Sequence, residues 1–263
     1  MNVGLLGAGH IARALAEGWS LPGERRGSPE RVVLFDLDRD RAETLAAATG
    51  GTAVASLADL VQASDVVVVA VRPPDVRGAL ADAGPLLGGR AVVSVAAGVS
   101  LEELQRALPA GARVGRIMPN VAAALGLGVF LFVPGSLGDG REAVADLFGA
   151  AGTVVEVEEA RFDVATAVAG CMPGYVARLV EAFADAGAAR GLSRATAEML
   201  AAAGVHGAAA YVAAAGDLAA VTAAAATPGG MTAAGIAALE AHDIDGTVDA
   251  AVGAAAEQAT RLA

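Results

Sequence analysis

Val3-Gly4-Leu5-Leu6-Gly7-Ala8-Gly9-His10-Ile11-Ala12-Arg13-Ala14-Leu15-Ala16 decides the fold. An apolar run gives way to a glycine loop and then to helix-forming residues, so the order is strand, loop, helix. Gly7 permits a tight turn, and Gly9 lets backbone approach a phosphate with no Cβ in the way. Small Ala12 allows the helix to pack close to its strand. The phosphates of a dinucleotide would then meet free N–H groups at the positive end of a helix. The pattern G-x-G-x-x-A is weak by itself in a chain with 34 glycines. Its place directly after the first strand gives it weight.

Working outward, Arg31 to Asp36, Asp65 to Val71, Ala91 to Ala96, Arg113 to Ile117, Val129 to Val133 and Val154 to Val157 read as further strands. Their near-continuous apolar character is what a parallel sheet covered on both faces requires. Helices are predicted over Arg41 to Ala48, stopping at Gly50-Gly51, and over Leu101 to Leu108. Residues 1–158 are therefore expected to form a doubly wound, Rossmann-type α/β domain with a parallel sheet. From about Arg161 the strand signal stops. Pro173 suits a first helical turn, with the helix running to about Arg190. Ser193 can cap a second helix to about Ala214, a third starts near Met231, and a fourth runs from Thr247 to the C-terminus. Residues 159–263 are read as an all-helical domain, alanine-lined and suited to homodimerisation. A self-contained bundle on a monomer is the alternative.

Composition narrows the function. The 263 residues are 55% hydrophobic but 3% aromatic, so the core must be built from Ala, Val and Leu. A net charge of −11 with no basic stripe argues against nucleic acid and anionic membranes as partners. No apolar stretch reaches the roughly 20 residues that cross a bilayer, and Met1-Asn2-Val3 runs into the first strand with no leader read before it. Cys171 has no partner for an internal disulfide, and His10, His206 and His242 are too dispersed for a metal site. A metal-free, cytoplasmic protein is expected. All 18 basic residues are arginine, which excludes lysine chemistry.

Two places carry chemistry. Asp36, at the end of the second strand, lies near the spacing where an acidic residue bonds the adenine ribose hydroxyls. A carboxylate there repels a 2′-phosphate and favours NADH over NADPH. A turn-forming Asp in Asp36-Leu37-Asp38-Arg39 is the other reading, and Arg39 or Arg41 could still reach a phosphate. In Thr227-Pro228-Gly229-Gly230-Met231-Thr232, two glycines precede a predicted helix. Such a loop can offer a nest of N–H donors to a small carboxylate, with hydroxyls from Thr227 and Thr232. An ordinary Pro-Gly turn and helix cap fits the segment equally.

Several segments, in register, resemble the pyrroline-5-carboxylate reductase family. Ala70-Val71-Arg72-Pro73 resembles its Ala-Val-Lys-Pro, and Ser94-Val95-Ala96-Ala97-Gly98-Val99-Ser100 its Ser-Ile-Ala-Ala-Gly-Val-Ser. Arg116-Ile117-Met118-Pro119-Asn120 resembles Arg-x-Met-Pro-Asn, and Pro228 to Thr232 resembles Pro-Gly-Gly-x-Thr. Asp185-Ala186-Gly187 and Gly191-Leu192 also fall where members have Ala-Asp-Ala-Gly and Gly-Leu. The resemblance implies NAD(P)H-dependent reduction of a cyclic imine, with hydride passing to the C=N carbon and a proton to nitrogen. It places the cofactor over Gly7, Ala8, Gly9, His10, Ile11, Ala12, Ala70, Val71, Arg72, Pro73, Ala96, Ala97, Gly98 and Asn120, with Ser56 standing where the family often has a cofactor-contacting Asn. The substrate carboxylate goes to Thr227, Gly229, Gly230, Met231 and Thr232, and Thr232 takes the catalytic role beside the imine nitrogen. In the family the helical domains interlock as dimers and the substrate loop is completed across the interface.

The chain departs from the pattern around the implied pocket. Where the family reads Ser-Gly-Ser-Gly-Pro-Ala-Tyr, this chain has Ala169-Gly170-Cys171-Met172-Pro173-Gly174-Tyr175. Cys171, Met172 and Pro173 are thus candidate substrate contacts of altered shape; core packing of Cys171 and Met172 is the other reading. Asn120 is followed by Val121-Ala122 and not Thr-Pro, Met231 is larger than usual, and Arg72 replaces a lysine. Two substrates stay open: 1-pyrroline-5-carboxylate, giving proline, or a related cyclic imine of specialised metabolism. The alternatives are another two-domain dehydrogenase, which generally relies on a lysine absent here, and a catalytically silent dinucleotide- or imino-acid-binding sensor.

Overall fold

The structure is a computed structural model and describes residues 1–23, 25–87 and 89–262. In chain order its elements are β1 (Asn2–Leu6), α1 (His10–Trp19), β2 (Arg31–Phe35), α2 (Arg39–Thr49), β3 (Thr52–Ala53), α3 (Leu57–Gln62), β4 (Val66–Val69), α4 (Val76–Ala83), β5 (Ala91–Ser94), α5 (Leu101–Ala107), β6 (Arg113–Met118), β7 (Gly128–Val133), α6 (Arg141–Gly149) and β8 (Gly152–Glu156). They are followed by α7 (Phe162–Ala165), α8 (Met172–Ala188), α9 (Arg194–Ala215), α10 (Leu218–Ala225), α11 (Met231–Ala241) and α12 (Ile244–Leu262). Two compact units result: Met1–Cys171 together with the end of α12 from Ala255, and Met172–Ala254.

In the first unit the strands form one eight-stranded sheet in the order β3-β2-β1-β4-β5-β6-β7-β8. The strands pair in parallel, as the apolar runs predict, except that β7 runs antiparallel to β6. The link from Met118 to Gly128 is a short 3₁₀ turn over Val121–Leu125, less than the crossover of about a dozen residues that a parallel pairing needs. Alternation along the strands sends side chains to two layers. Leu5, Val66, Val68 and Val93 join α1, α2 and α6 on one face, through Leu15, Leu45 and Phe148; Leu6, Val67, Val69 and Val92 join α3, α4 and α5 on the other, through Leu60, Leu80 and Leu104. The chain builds outward from β1 through β2 and β3, then returns to lay β4 on the other side of β1. The crevice at the carboxyl ends of β1 and β4 is therefore the switch point, where an open α/β sheet binds its ligand.

In the second unit Ser193 caps α9 as predicted, its Oγ accepting from the Thr196 amide at 3.1 Å. A helix absent from the sequence reading, α10, is capped by Asp217, whose carboxylate accepts from the Ala219 and Ala220 amides. Small residues let α8 and α9 approach: a Cβ on Gly187 would lie 3.4 Å from that of Ala197. Little else is covered. Neither α10 nor α11 has a buried residue, and Leu179, Phe183, Leu200, Tyr211, Leu218 and Leu239 are all exposed. A self-contained bundle would bury these side chains, and this one does not. No helix among the described residues is long and apolar enough to cross a membrane.

Candidate active site

The glycine loop joins β1 to α1. Gly7 adopts φ +105°, and a Cβ there would lie 2.8 Å from the Ala70 carbonyl oxygen at the end of β4, so only glycine fits. Its amide donates to Phe35 O at 2.8 Å, and the next amide, of Ala8, donates to Asp36 Oδ2 at 2.7 Å. Gly9 is the N-cap of α1 and offers no side-chain cap, and no acidic residue stands in the first turn. The opening amides of the helix are thus left without intrahelical acceptors. A Cβ on Gly9 would meet nothing within 4 Å. Open space beside orphan amides at the switch point is what a pyrophosphate needs, so the residues present fit a dinucleotide. His10 stands exposed at the first position of the helix.

Asp36 forms the turn that one of its two sequence readings expected, and it also ties down the glycine loop. Its Oδ1 accepts from the Asp38 amide at 2.8 Å, forming the turn, while Oδ2 binds the glycine loop. The two arginines that follow are occupied: Arg41 pairs with Asp38 at 3.1 Å and Arg39 with Glu43 at 2.6 Å. Ser56 caps α3, its Oγ accepting from the Asp59 amide at 3.1 Å and donating to Asp59 Oδ2 at 2.6 Å.

The other segments assigned to the cofactor also lie just past strand ends. Ala70 to Pro73 follow β4, with Arg72 paired to Asp75 at 2.8 Å and Pro73 opening a 3₁₀ turn. Ala96, Ala97 and Gly98 follow β5, Gly98 at φ +67°. Arg72, Pro73 and Gly98 line one cleft of about 610 Å³ with Arg77, Val99 and Glu103. Asn120, past β6, is 6% exposed: Nδ2 donates to Ala169 O at 3.2 Å, and Oδ1 accepts from the Ala122 and Val129 amides. The structure thus gives this side chain work inside the fold, tying β6 and β7 to the π-helical turn Thr166–Gly170. That turn ends at Cys171, whose amide donates to Thr166 O at 3.1 Å. Met172 begins α8 and is 44% exposed, which does not match core packing, and Pro173 sits in the first turn.

In the second unit, Thr227 to Thr232 form a tight turn into α11. The Gly230 amide donates to Thr227 O at 2.9 Å, and Gly229 takes φ +73°. Gly230 is the N-cap, with no side-chain cap, and a Cβ on it would lie 2.6 Å from Thr227 Oγ1. The Pro-Gly turn and helix cap are thus present, with the Gly230 amide committed to the turn. Met231 is 94% exposed, and Thr232 is exposed with no hydrogen bond from its hydroxyl among the described residues.

Sequence reasoning missed the cluster around Arg116. Within the β6 run it reads, like Arg113, as a polar residue among apolar ones, yet the structure buries it to 4% exposure. Its guanidinium lies 3.8 Å from the centre of the Phe162 ring and 2.7 Å from Glu159 Oε1. An arginine between Gly115 and Ile117 in a strand covered on both faces was the available signal.

Comparison with known proteins gives two matching families. The one described as pyrroline-5-carboxylate reductase dimerisation matches residues 159–262, and the one described as NADP oxidoreductase, coenzyme F420-dependent, matches residues 2–98. The pyrroline-5-carboxylate reductase of Mycobacterium leprae is 39% identical over 76% of this chain and 70% of its own length. The crystal structure of the Plasmodium falciparum pyrroline carboxylate reductase with NADP bound has a TM-score of 0.85 and 25% identity, covering 100% of this chain and 98% of that one. The pyrroline-5-carboxylate reductase from Coxiella burnetii shares the fold at a TM-score of 0.90 and 24% identity, over 100% of this chain and 98% of that one.

Proposed function

Since the chain belongs to the pyrroline-5-carboxylate reductase family, we propose that it reduces a carboxylated cyclic imine, 1-pyrroline-5-carboxylate to proline, in the cytoplasm and with NADH favoured over NADPH. It homo-oligomerises, uses a nicotinamide dinucleotide and acts on a small molecule. The observation that carries the reading is the start of α1 after the glycine loop, where uncapped amides lie beside the open space at Gly9, at the sheet's switch point. Residues 1–158 are assigned to dinucleotide binding and 159–263 to substrate binding and dimerisation.

A bound nicotinamide supplies the hydride that turns the C=N carbon into C–H. The chain binds and orients. Amides of Gly9 to Ala12 receive the pyrophosphate, and the strand-end segments Ala70 to Pro73 and Ala96 to Gly98 carry the remainder of the cofactor. Asp36 disfavours a 2′-phosphate, and Arg39 and Arg41, each already paired with a carboxylate, do not offset it. The nest at Gly229 to Thr232 receives the substrate carboxylate, which fixes the ring. Thr232, its hydroxyl uncommitted, donates to or relays a proton toward the imine nitrogen. Proximity supplies much of the rate, since a protonated imine is already a good hydride acceptor.

A second substrate, another cyclic imine of specialised metabolism, is favoured by one observation. Met172 and Met231, both departures from the family pattern, present their side chains to solvent, where they are available to a ligand. The test is to incubate the protein with NADH or NADPH and a panel of five- and six-membered cyclic imines, with and without a carboxylate, following nicotinamide absorbance. Oxidation of neither cofactor by any imine sinks the proposal. Preference for a six-membered or uncarboxylated ring selects the second substrate.

A further inference from the structure

Glu159 stands between two partners from distant parts of the first unit. Its Oε1 accepts from Arg116 Nη1 at 2.7 Å and from the Leu101 amide at 3.0 Å. Arg116 is held in turn: it sits on β6 opposite Ser94, stacks on Phe162, and has Nη2 3.9 Å from Asp163 Oδ1. Among the described residues, Arg116 Nε and Glu159 Oε2 are buried without partners. Arg116 is buried while the Glu159 side chain is 36% exposed, and an ion pair that leaves hydrogen bonds unmet is a poor source of stability. What this one does achieve is the placement of a single oxygen.

That oxygen meets the first amide of α5, directly after the loop that leaves β5. The loop's upstream end is tied by the Val95 amide to Val69 O at 3.0 Å. Its downstream end has a capping box, in which Ser100 N donates to Glu103 Oε2 at 2.9 Å and Glu103 N to Ser100 Oγ at 3.2 Å. The capping box leaves the Leu101 amide over, and Glu159 takes it. We infer that Glu159, aimed by Arg116, is a positioning residue for the dinucleotide: by holding the Leu101 amide it fixes the backbone of Ala96, Ala97 and Gly98 against which the cofactor lies. The inference rests on the assignment of that loop to the cofactor.

Binding of NADH and NADPH to the full chain, followed by nicotinamide fluorescence without any imine, tests it. Glu159→Gln keeps an acceptor oxygen for both partners, whereas Glu159→Ala removes it. The expected result is a Kd raised at least fivefold in Glu159→Ala and within twofold of the parent in Glu159→Gln. Leu101→Pro deletes the donor at a first helical position that tolerates proline, after a Ser100 already extended at φ −71°, ψ 157°. It should reproduce the Glu159→Ala rise, and it carries the test if that variant does not fold. Unchanged Kd in Glu159→Ala or Leu101→Pro, or equal weakening in Glu159→Gln and Glu159→Ala, overturns the inference alone. A parent chain that binds neither cofactor overturns the loop assignment and this inference with it.

Discussion

Asp36 Oδ2 accepts a hydrogen bond from the Ala8 amide at 2.7 Å, so the residue expected to choose the cofactor also holds the loop expected to bind its phosphates. A residue that only met the ribose could be exchanged at no cost to NADPH. Here the exchange loosens the loop as well. Asp36→Ser should therefore raise the ratio of kcat/KM for NADPH over NADH about tenfold, ~1.4 kcal/mol, while lowering kcat/KM for NADH by at least as much. Steady-state kinetics with both cofactors check this, and an unchanged ratio refutes the specificity role.

Gly7 and Gly9 separate folding from binding within one loop. A Cβ on Gly7 meets a carbonyl at 2.8 Å and forces an L-residue to φ +105°, a strain on the order of 1–3 kcal/mol. Gly7→Ala should lower Tm. A Cβ on Gly9 meets no protein atom within 4 Å, and the backbone there is at φ −78°. Gly9→Ala should leave Tm where it was and weaken NADH binding at least about tenfold, because the methyl occupies the phosphates' space. Thermal melts beside fluorescence titrations distinguish the two, and a Gly9→Ala variant that binds normally removes the loop from the site.

What could be read from the sequence follows from how strongly each element's physics is written locally. β1, β2, β4, β5 and β7 lie within near-continuous apolar runs because both faces of the sheet are covered, and α2 ends where Gly50 turns left-handed at φ 72°. The helices α3, α4, α6, α7 and α10 went unmarked. The first four are short, and α10 lies in an alanine run with no apolar–polar period to detect. Parallel pairing itself implies α3 and α4, since each crossover needs a covering element. At the site, motif residues could be located but not their partners. Nothing local to Asn120 says that its amide is spent on Ala169, nor that Ser56 caps a helix, and the union of Arg116, Glu159 and Leu101 exists only once the sheet is assembled.

Glu103 gives the loop after β5 a pH dependence. Hydrogen bonds from the Ser100 backbone and hydroxyl, then the charges of Arg106 and Arg77, lower its pKa below the ordinary carboxylate value. A lowered pKa in the folded state means a contribution fully present above the unfolded-state value and lost as pH falls through the folded one. Glu103→Gln should thus be less stable than the parent near neutrality, with the difference closing in acid. Melts from about pH 7 to about pH 3 check the sign; a difference that widens in acid contradicts it. Ser100→Ala should cost about 1 kcal/mol through the lost cap.

The exposed apolar face of the second unit predicts its own assembly mutants. Phe183, Leu192, Leu200 and Val205 line an apolar groove of about 520 Å³ between α8 and α9, and Phe183 and Leu200 are exposed on it, as in a face that awaits a partner. Phe183→Glu and Leu200→Glu should shift the sedimenting species toward monomer. If the substrate loop is completed across the interface, imine reduction falls with the dimer fraction while NADH binding to the glycine loop persists. Variants that remain fully oligomeric place the interface elsewhere.

Thr232 offers the sharpest test of the chemistry. It is the second residue of α11, directly after the turn proposed to receive the carboxylate, and its hydroxyl is exposed and uncommitted. A structural threonine would spend that hydroxyl on the fold, so Thr232→Ala should change Tm little. If the hydroxyl serves the imine nitrogen in the transition state, Thr232→Ala should lower kcat on the order of a hundredfold, within the range of a lost acid–base group. Its effect on the Kd for NADH should stay within about twofold, since neither glycine loop nor strand ends are touched. Thr232→Ser, which restores the hydroxyl, should recover most of the rate. Equal losses in turnover and cofactor binding, or no rescue by serine, would leave the nest with the substrate's carboxylate and assign the proton to another group.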